Sequence, residues 1–440
     1  MAFRVPRGWR PRLLAERNFA FRSILLITLT AAATIPGIYS ALQHLEYPPH
    51  VEAIVAGIAI LAASFLLLWA CDAAQADVSQ ALALAAVALI AVLPEYAVDM
   101  YFTWQAGKFP QSDYSHYAIA NMTGANRLLI GVAWALIAII FYVRSRRDVR
   151  IEAERRLELF FLGVATIYAL TIPLKGSLAW FDGVVFIGLY LVYMWLAARR
   201  PCTECEACGP AEYLVSLPIK RRRATTVVLF LFAATAIVLN AERFCEGLVG
   251  TGEMFGINKF LLVQWLAPIA SEAPEFVVAL MFAWRGNAGL ALGSLLSAKL
   301  NQWTLLVGMI PGVFALSSGS LMPPMPMDNI QMQEILLTAA QSLLAVLMLA
   351  NLRLSLGEAI FLMALFFGQL LSPTLVEKLP GGTFMGLPGH EMHQVFSMMY
   401  VAAALALFVD RPYRLGSLTQ VLRRDWCEIA QAERRMDMPQ

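Results

Sequence analysis

Apolar runs long enough to cross a bilayer recur along almost the whole chain, separated by short polar joints. A spanning helix needs about 20 mostly apolar residues. The runs at 22–42, 51–70, 79–103, 117–143, 156–172, 178–197, 224–244, 258–283, 287–316, 332–350, 355–376 and 392–408 qualify, which predicts twelve spans. The run at 156–172, as short as any of them, stops at Pro173. The first follows a basic start, as a secretory signal does, but is longer than a signal core and is read as an uncleaved span.

The joints alternate in charge. Arg4, Arg7, Arg10, Arg12, Arg17 and Arg22 precede the first span. Arg144, Arg146, Arg147, Arg150, Arg155 and Arg156 fill the fourth joint, and Arg199, Arg200, Lys220, Arg221, Arg222 and Arg223 the sixth. The tail after the last span holds Arg411, Arg414, Arg423 and Arg424, while the odd-numbered joints hold few cations. Lys and Arg are retained on the cytoplasmic side, so both termini are expected there, in a bacterial-type inner membrane.

Composition agrees with this class. Of 440 residues 59% are hydrophobic and 15% charged, too little charge to cover a soluble domain of that length. The net charge of +2 singles out no partner, and the basic bursts flank apolar spans, so nucleic acid is not expected. The expected partners are the lipid bilayer and inorganic cations.

Two stretches share a pattern. ALIAVLPEYAVDMYFTWQAG (88–107) is followed by AIANMTGANRLLIGVAWAL (118–136). WLAPIASEAPEFVVALMFAWRGNAG (265–289) is followed by LALGSLLSAKLNQWTLLVGMIPG (290–312). Each sets a Pro-Glu pair in a long apolar helix and continues into a helix rich in small and amide residues. The span count runs the two in opposite directions. The chain is therefore read as a basic N-terminus and extra first span (1–50), a first inverted five-span repeat (51–197) and a cytoplasmic loop rich in basic residues and Cys (198–223). A second inverted repeat (224–376) and a last span with cytoplasmic tail (377–440) complete it. The expected fold is an all-α polytopic membrane protein.

Inverted repeats meet near the midplane, where broken helices offer carbonyls and side chains to a cation. Pro94 and Pro274 each withdraw a helix donor next to a carboxylate. An ionised Glu at that depth is costly unless paired or cation-bound, and two in matching positions, Glu95 and Glu275, point to an ion site. Asp99 lies four residues after Glu95, on the same helix face.

This pattern resembles the α-repeats of the Ca²⁺/cation antiporter superfamily, the sodium/calcium exchangers. Those read roughly Gly-Thr-Ser-x-Pro-Glu, followed by a helix with Gly-Asn and Gly-Ser-Asn. The resemblance implies alternating-access cation exchange around the two Pro-Glu carboxylates, with Glu272, Ser271, Asn121, Ser294, Asp99 and Asn126 as further ion-binding residues. The chain departs from the pattern at Ala91 and Val92, which lack side-chain oxygens, and at Glu272, which adds a carboxylate. Arg127 and Lys299 put cations into the small-residue helices and are expected to compensate the carboxylates. Lys299 is long enough to reach Glu275 or Glu272.

Other features are weaker. Cys202, Cys205 and Cys208 form C-x₂-C-x₂-C, a spacing that suits zinc or an Fe–S cluster but lacks a fourth ligand in the loop; reduced surface thiols are the alternative. GHEMHQ (389–394) is one residue short of H-E-x-x-H and reads as a surface cluster. No G-x-S-x-G or paired-Asp signature is present, so a transporter and not an enzyme is expected, with no required cofactor. The transported ions would be Ca²⁺ or a related cation against Na⁺ or H⁺. The alternative is a non-transporting sensor or scaffold on the same fold.

Overall fold

The computed structural model describes residues 9–77, 92–199, 209–379, 381–384 and 386–410, with side chains from Asn18 onward other than that of His390. Its twelve long helices are α1 (Trp9–Leu42), α2 (Pro49–Gln75), α3 (Leu93–Lys108), α4 (Tyr114–Ser145), α5 (Arg156–Ala169) and α6 (Trp180–Ala197), then α7 (Ile219–Phe255), α8 (Lys259–Arg285), α9 (Ala288–Ser318), α10 (Asn329–Leu349), α11 (Leu356–Glu377) and α12 (Met392–Asp410). The protein is a polytopic, all-α membrane protein. Ten of these helices are long and apolar enough to span. The expected span at 79–103 lies partly outside the described residues. The expected span at 156–172 is the 14-residue α5, closed by turns before Pro173.

The chain divides into two compact units, residues 1–98, 201–257 and 270–274 forming one and the remainder the other. In the first unit α2 lies along α7, with Ala63, Leu66, Leu67 and Ala70 packed on Ala233, Ala236 and Ile237. α7 corrects an expectation. The outer joint foreseen at 245–257 is helical to Phe255. Its glycines have a packing reason: a Cβ on Gly247 would lie 2.6 Å from the backbone N of Ala53, and one on Gly250 2.8 Å from Cβ of Pro49. Close backbone approach through small residues is how helices associate where water offers no driving force, and it offsets the low helix propensity of glycine.

Polar groups tie the ends of this unit. Arg243 donates to Glu52 at 2.8 Å and to the backbone O of Ser40 at 2.9 Å, joining α7 to α2 and to the end of α1. Arg222 grips Asp77 with two bonds of 2.7 Å and donates to the O of Val215 at 3.0 Å. That grip holds the Asp77 carboxyl at about 2, below its ordinary 3.8. A depressed folded-state value stabilises the fold above about pH 4 and is lost as pH falls toward about 2. Arg222→Gln is therefore expected to lower the melting temperature at pH 7, with the gap to wild type closing below about pH 4. A gap unchanged by acid would assign the loss to something other than this pair.

In the second unit α10 is the most deeply buried helix and packs on α4, α5 and α12. Its start is set by a capping box: Asp328 accepts from the N–H of Gln331 at 2.9 Å, and Gln331 accepts from that of Asp328 at 2.8 Å. Two short antiparallel ribbons frame the unit. Val149–Arg150, leading into α5, pairs with Arg353–Leu354, leading into α11. Ser177–Leu178, leading into α6, pairs with Met325–Pro326, leading toward α10. Each ribbon joins the approach to the fourth helix of one half to the approach to the fifth helix of the other, the exchange a two-fold relation produces.

Trp104, Trp195 and Trp284 sit exposed near helix ends as expected of interfacial anchors, each beside a cation; Arg199 lies 3.7 Å from the Trp195 ring centre.

Candidate functional site

The helices after each Pro-Glu helix, α4 and α9, both contain a π turn, at Leu129–Trp134 and Gln302–Leu306. Aligning Asn126 with Lys299 places Leu129 beside Gln302, so the two turns start at the same register. A π turn shifts the hydrogen-bond ladder and re-aims the neighbouring side chains, and such turns gather at functional positions. A third lies at Leu262–Leu266, before the Pro-Glu pair of α8. Prolines were the expected helix breaks; the π turns leave no trace in residue type.

Asp99 on α3 and Asn121 on α4 come together in the second unit. Asn121 Nδ2 donates to Asp99 Oδ1 at 2.7 Å, and both residues are buried. Asp99 Oδ2 and Asn121 Oδ1 are buried without a hydrogen-bond partner among the described residues. A buried carboxylate oxygen and a buried amide oxygen on two hydrogen-bonded residues, neither committed to a donor, are hard ligands of the kind that suits Ca²⁺ or Na⁺.

Asn126 and Lys299, which occupy matching places in the two halves, are in contact. Lys299 Nζ donates to Asn126 Oδ1 at 2.7 Å and lies 4.5 Å from the Trp303 ring centre, while Asn126 Nδ2 donates to the O of Met122 at 2.7 Å. An ammonium thus takes up the side-chain oxygen that the resemblance assigns to an ion.

Arg127 has a partner that the sequence reading passed over. Its guanidinium pairs with Glu334 on α10, both groups fully buried, and stacks on Trp265 at 5.2 Å. Gln264 Nε2 donates to the same Glu334 oxygen at 2.7 Å, and His393 Nδ1 lies 3.0 Å from the other. His393 is therefore no surface ornament: it brings the start of α12 onto a buried carboxylate. Gly124, one turn before Arg127, leaves room for the backbone O of Gln264, which a Cβ would strike. Glu334, His393, Gln264, Trp265 and Gln369 line a cavity of about 1270 Å³, and both amide atoms of the buried Gln369 lack a hydrogen-bond partner there. Such a space is polar and roomy enough for water.

Of the remaining expected residues, Glu95 is buried in the first turn of α3, and Ser271 and Glu272 are buried on α8. Glu275 is half-buried. Ser294 is exposed, its hydroxyl turned back to the O of Ala291 at 2.9 Å. Cys202, Cys205 and Cys208 lie outside the described residues. Among the described residues no three His, Cys, Asp or Glu side chains group as a metal site.

Comparison with known proteins gives the following. The sequence model of the sodium/calcium exchanger protein family matches residues 51–199 and again 225–374. The crystal structure of the H⁺/Ca²⁺ exchanger CAX superposes with a TM-score of 0.84 at 40% identity, over 93% of this chain and 99% of the other. The structure of native YfkE superposes at 0.57 with 16% identity, over 78% of this chain and 97% of the other, a likeness of fold. An uncharacterized membrane protein of Methanocaldococcus jannaschii is 24% identical over 249 residues, 57% of this chain and 74% of that protein.

Proposed function

Since the chain belongs to the sodium/calcium exchanger family and is a multi-pass cation antiporter, we propose that it exchanges Ca²⁺ against H⁺, with Glu95, Asp99, Asn121, Glu272 and Glu275 as the ion-binding groups. The observation that carries this is the Asp99–Asn121 pair, with two uncommitted oxygens in a buried setting. Hard oxygen donors favour Ca²⁺ over softer metals. The likeness to a H⁺/Ca²⁺ exchanger across nearly the full chain supports H⁺ as the counter-ion.

Lys299 supports the same choice. With its ammonium on the Asn126 oxygen, a place for a second bound cation is already filled by a tethered one. Arg127, by contrast, is neutralised by Glu334 and bears on the ions only through the position of α4. The arginine-rich joints support cytoplasmic termini. Ser271 joins the candidate set, while Ser294, turned back to the O of Ala291, and Asn126, held by Lys299, stand outside it.

The test is Ca²⁺ uptake into proteoliposomes under an imposed pH gradient or an imposed Na⁺ gradient. Uptake is expected with the first and not with the second. Uptake driven by Na⁺ alone would reverse the assignment, and no uptake under either would favour a non-transporting sensor on this fold.

Lys299→Asn is the sharper probe of the counter-ion. Freeing Asn126 Oδ1 is expected to raise the number of cations bound per protein and to let a Na⁺ gradient drive Ca²⁺. Unchanged affinity, pH dependence and stoichiometry would make Lys299 a bystander.

A further inference from the structure

Two carboxylates outside the ion-binding set stand in the same place in the two halves. α5 reads ELFFLGVAT (158–166) and α10 reads EILLTAAQS (334–342), so Glu158 and Glu334 share a register early in the fourth helix of each half. Each reaches across to the small-residue helix of the opposite half. Glu334, in the second half, pairs with Arg127 on α4 of the first. Glu158, in the first half, accepts from Ser297 on α9 of the second at 3.1 Å.

Each contact is built up by neighbours. Glu158 Oε1 also accepts from Arg155 Nη1 at 2.9 Å and from the Tyr193 hydroxyl at 3.0 Å, and Arg155 Nη1 lies 2.9 Å from Ser297 Oγ. Gly293 makes this possible, because a Cβ there would lie 2.8 Å from Arg155 Nε. Glu334 has Gln264 and His393 in the corresponding roles. A carboxylate with several donors in a medium of low dielectric is costly to displace, so these are fixed points and not sliding contacts.

Their places follow from the ribbons. The ribbon strand before α5 pairs with the strand after α10, and the strand after α5 pairs with the strand before α10. The packed helices α5 and α10 are therefore antiparallel, and Glu158 and Glu334 lie toward opposite ends of the pair. Glu158 is at the arginine-rich face and Glu334 at the other. The residues they hold, Ser297 and Arg127, lie within two positions of Lys299 and Asn126.

From this we infer that Glu158 and Glu334 are a two-fold-related pair of positioning residues, each latching the ion-ligand helix of the other half and setting cation affinity from its own face. The inference rests on the reading of α4 and α9 as ligand helices. A latch that fixes a helix a few residues from its ligands controls their geometry, and small misplacement of oxygen donors weakens cation binding strongly. The appended helix α12 gains a role too, since His393 completes the latch at Glu334.

The test uses the full chain in proteoliposomes of uniform orientation, with the KM for Ca²⁺ measured separately at each face. Ser297→Ala removes the hydroxyl at the Glu158 latch without leaving a buried charge, and Ser297→Thr restores it. Arg127→Leu with Glu334→Leu removes the other latch as a charge-balanced pair, and His393→Ala loosens it should the double variant fail to fold. Each latch variant is expected to raise KM about tenfold at its own face, to leave it within about twofold at the other, and to change kcat less than KM. Ser297→Thr should return to the wild-type value. Equal shifts at both faces, or none in folded protein, would overturn the pairing of latch and face. A wild-type protein that moves no Ca²⁺ would instead overturn the antiporter reading beneath it.

Discussion

Replacing Glu275 or Glu95 by Gln is expected to lower Ca²⁺ exchange by about a hundredfold or more, the equivalent of roughly 3 kcal/mol of lost ion binding. Gln has the size of Glu and can still accept hydrogen bonds, so the fold should persist, as monodisperse protein with a near-native melting temperature. What is lost is the negative charge that balances a dication in a setting of low dielectric. Asp99→Asn belongs to the same series but keeps one oxygen beside Asn121, and its expected loss is smaller. Ca²⁺ uptake by the purified variants, normalised to inserted protein, decides the matter. Wild-type rates in either Glu variant would remove that residue from the ion site.

Arg127→Leu alone should be the most destabilising of the buried changes, by about 3–5 kcal/mol, because Glu334 is left charged and fully buried without its guanidinium. Gln264 remains as a donor, and His393, 3.0 Å from the other oxygen, brings a compensating charge only when protonated. Adding Glu334→Leu should recover most of that loss, since a buried ion pair exchanged for apolar side chains of similar volume is tolerated. Thermal unfolding in detergent, wild type beside the single and double variants, reads this directly. A single variant as stable as wild type would mean that the pair is dispensable for folding, and a double variant no better than the single would mean that the two are not coupled.

These expectations divide by how visible they were along the chain. The Pro-Glu helices and the lone acid at Asp99 are local features that spacing reveals, and the amide at Asn121 entered through the resemblance to the α-repeats. Pairing Asp99 with Asn121 needed only the turn between consecutive helices. Arg127 and Glu334 lie 207 residues apart, and nothing in the neighbourhood of either names the other. Yet a signal was present. Glu334 is a single carboxylate inside an apolar span, and aligning the halves sets it on Glu158; such a residue is a functional candidate on energetic grounds alone. His393 was misjudged because its motif was measured against a zinc site, when its partner sits on another helix. The π turns were illegible for a different reason, since ordinary helix-forming residues fill them and tertiary packing selects them. The helical course of 245–255 was missed because the span was bounded by its apolar run, and the glycine-rich continuation packs through close backbone approach that no apolar pattern marks.

The central claim is that one site carries Ca²⁺ and H⁺ in alternation. It is tested most directly by recording Ca²⁺ entry and internal pH in the same proteoliposomes, loaded acidic inside and given Ca²⁺ outside. The account predicts that Ca²⁺ entry and internal alkalinisation rise together in wild type and vanish together in Glu275→Gln. Ca²⁺ entry with no matching proton exit, or proton exit that survives without Ca²⁺, would contradict it.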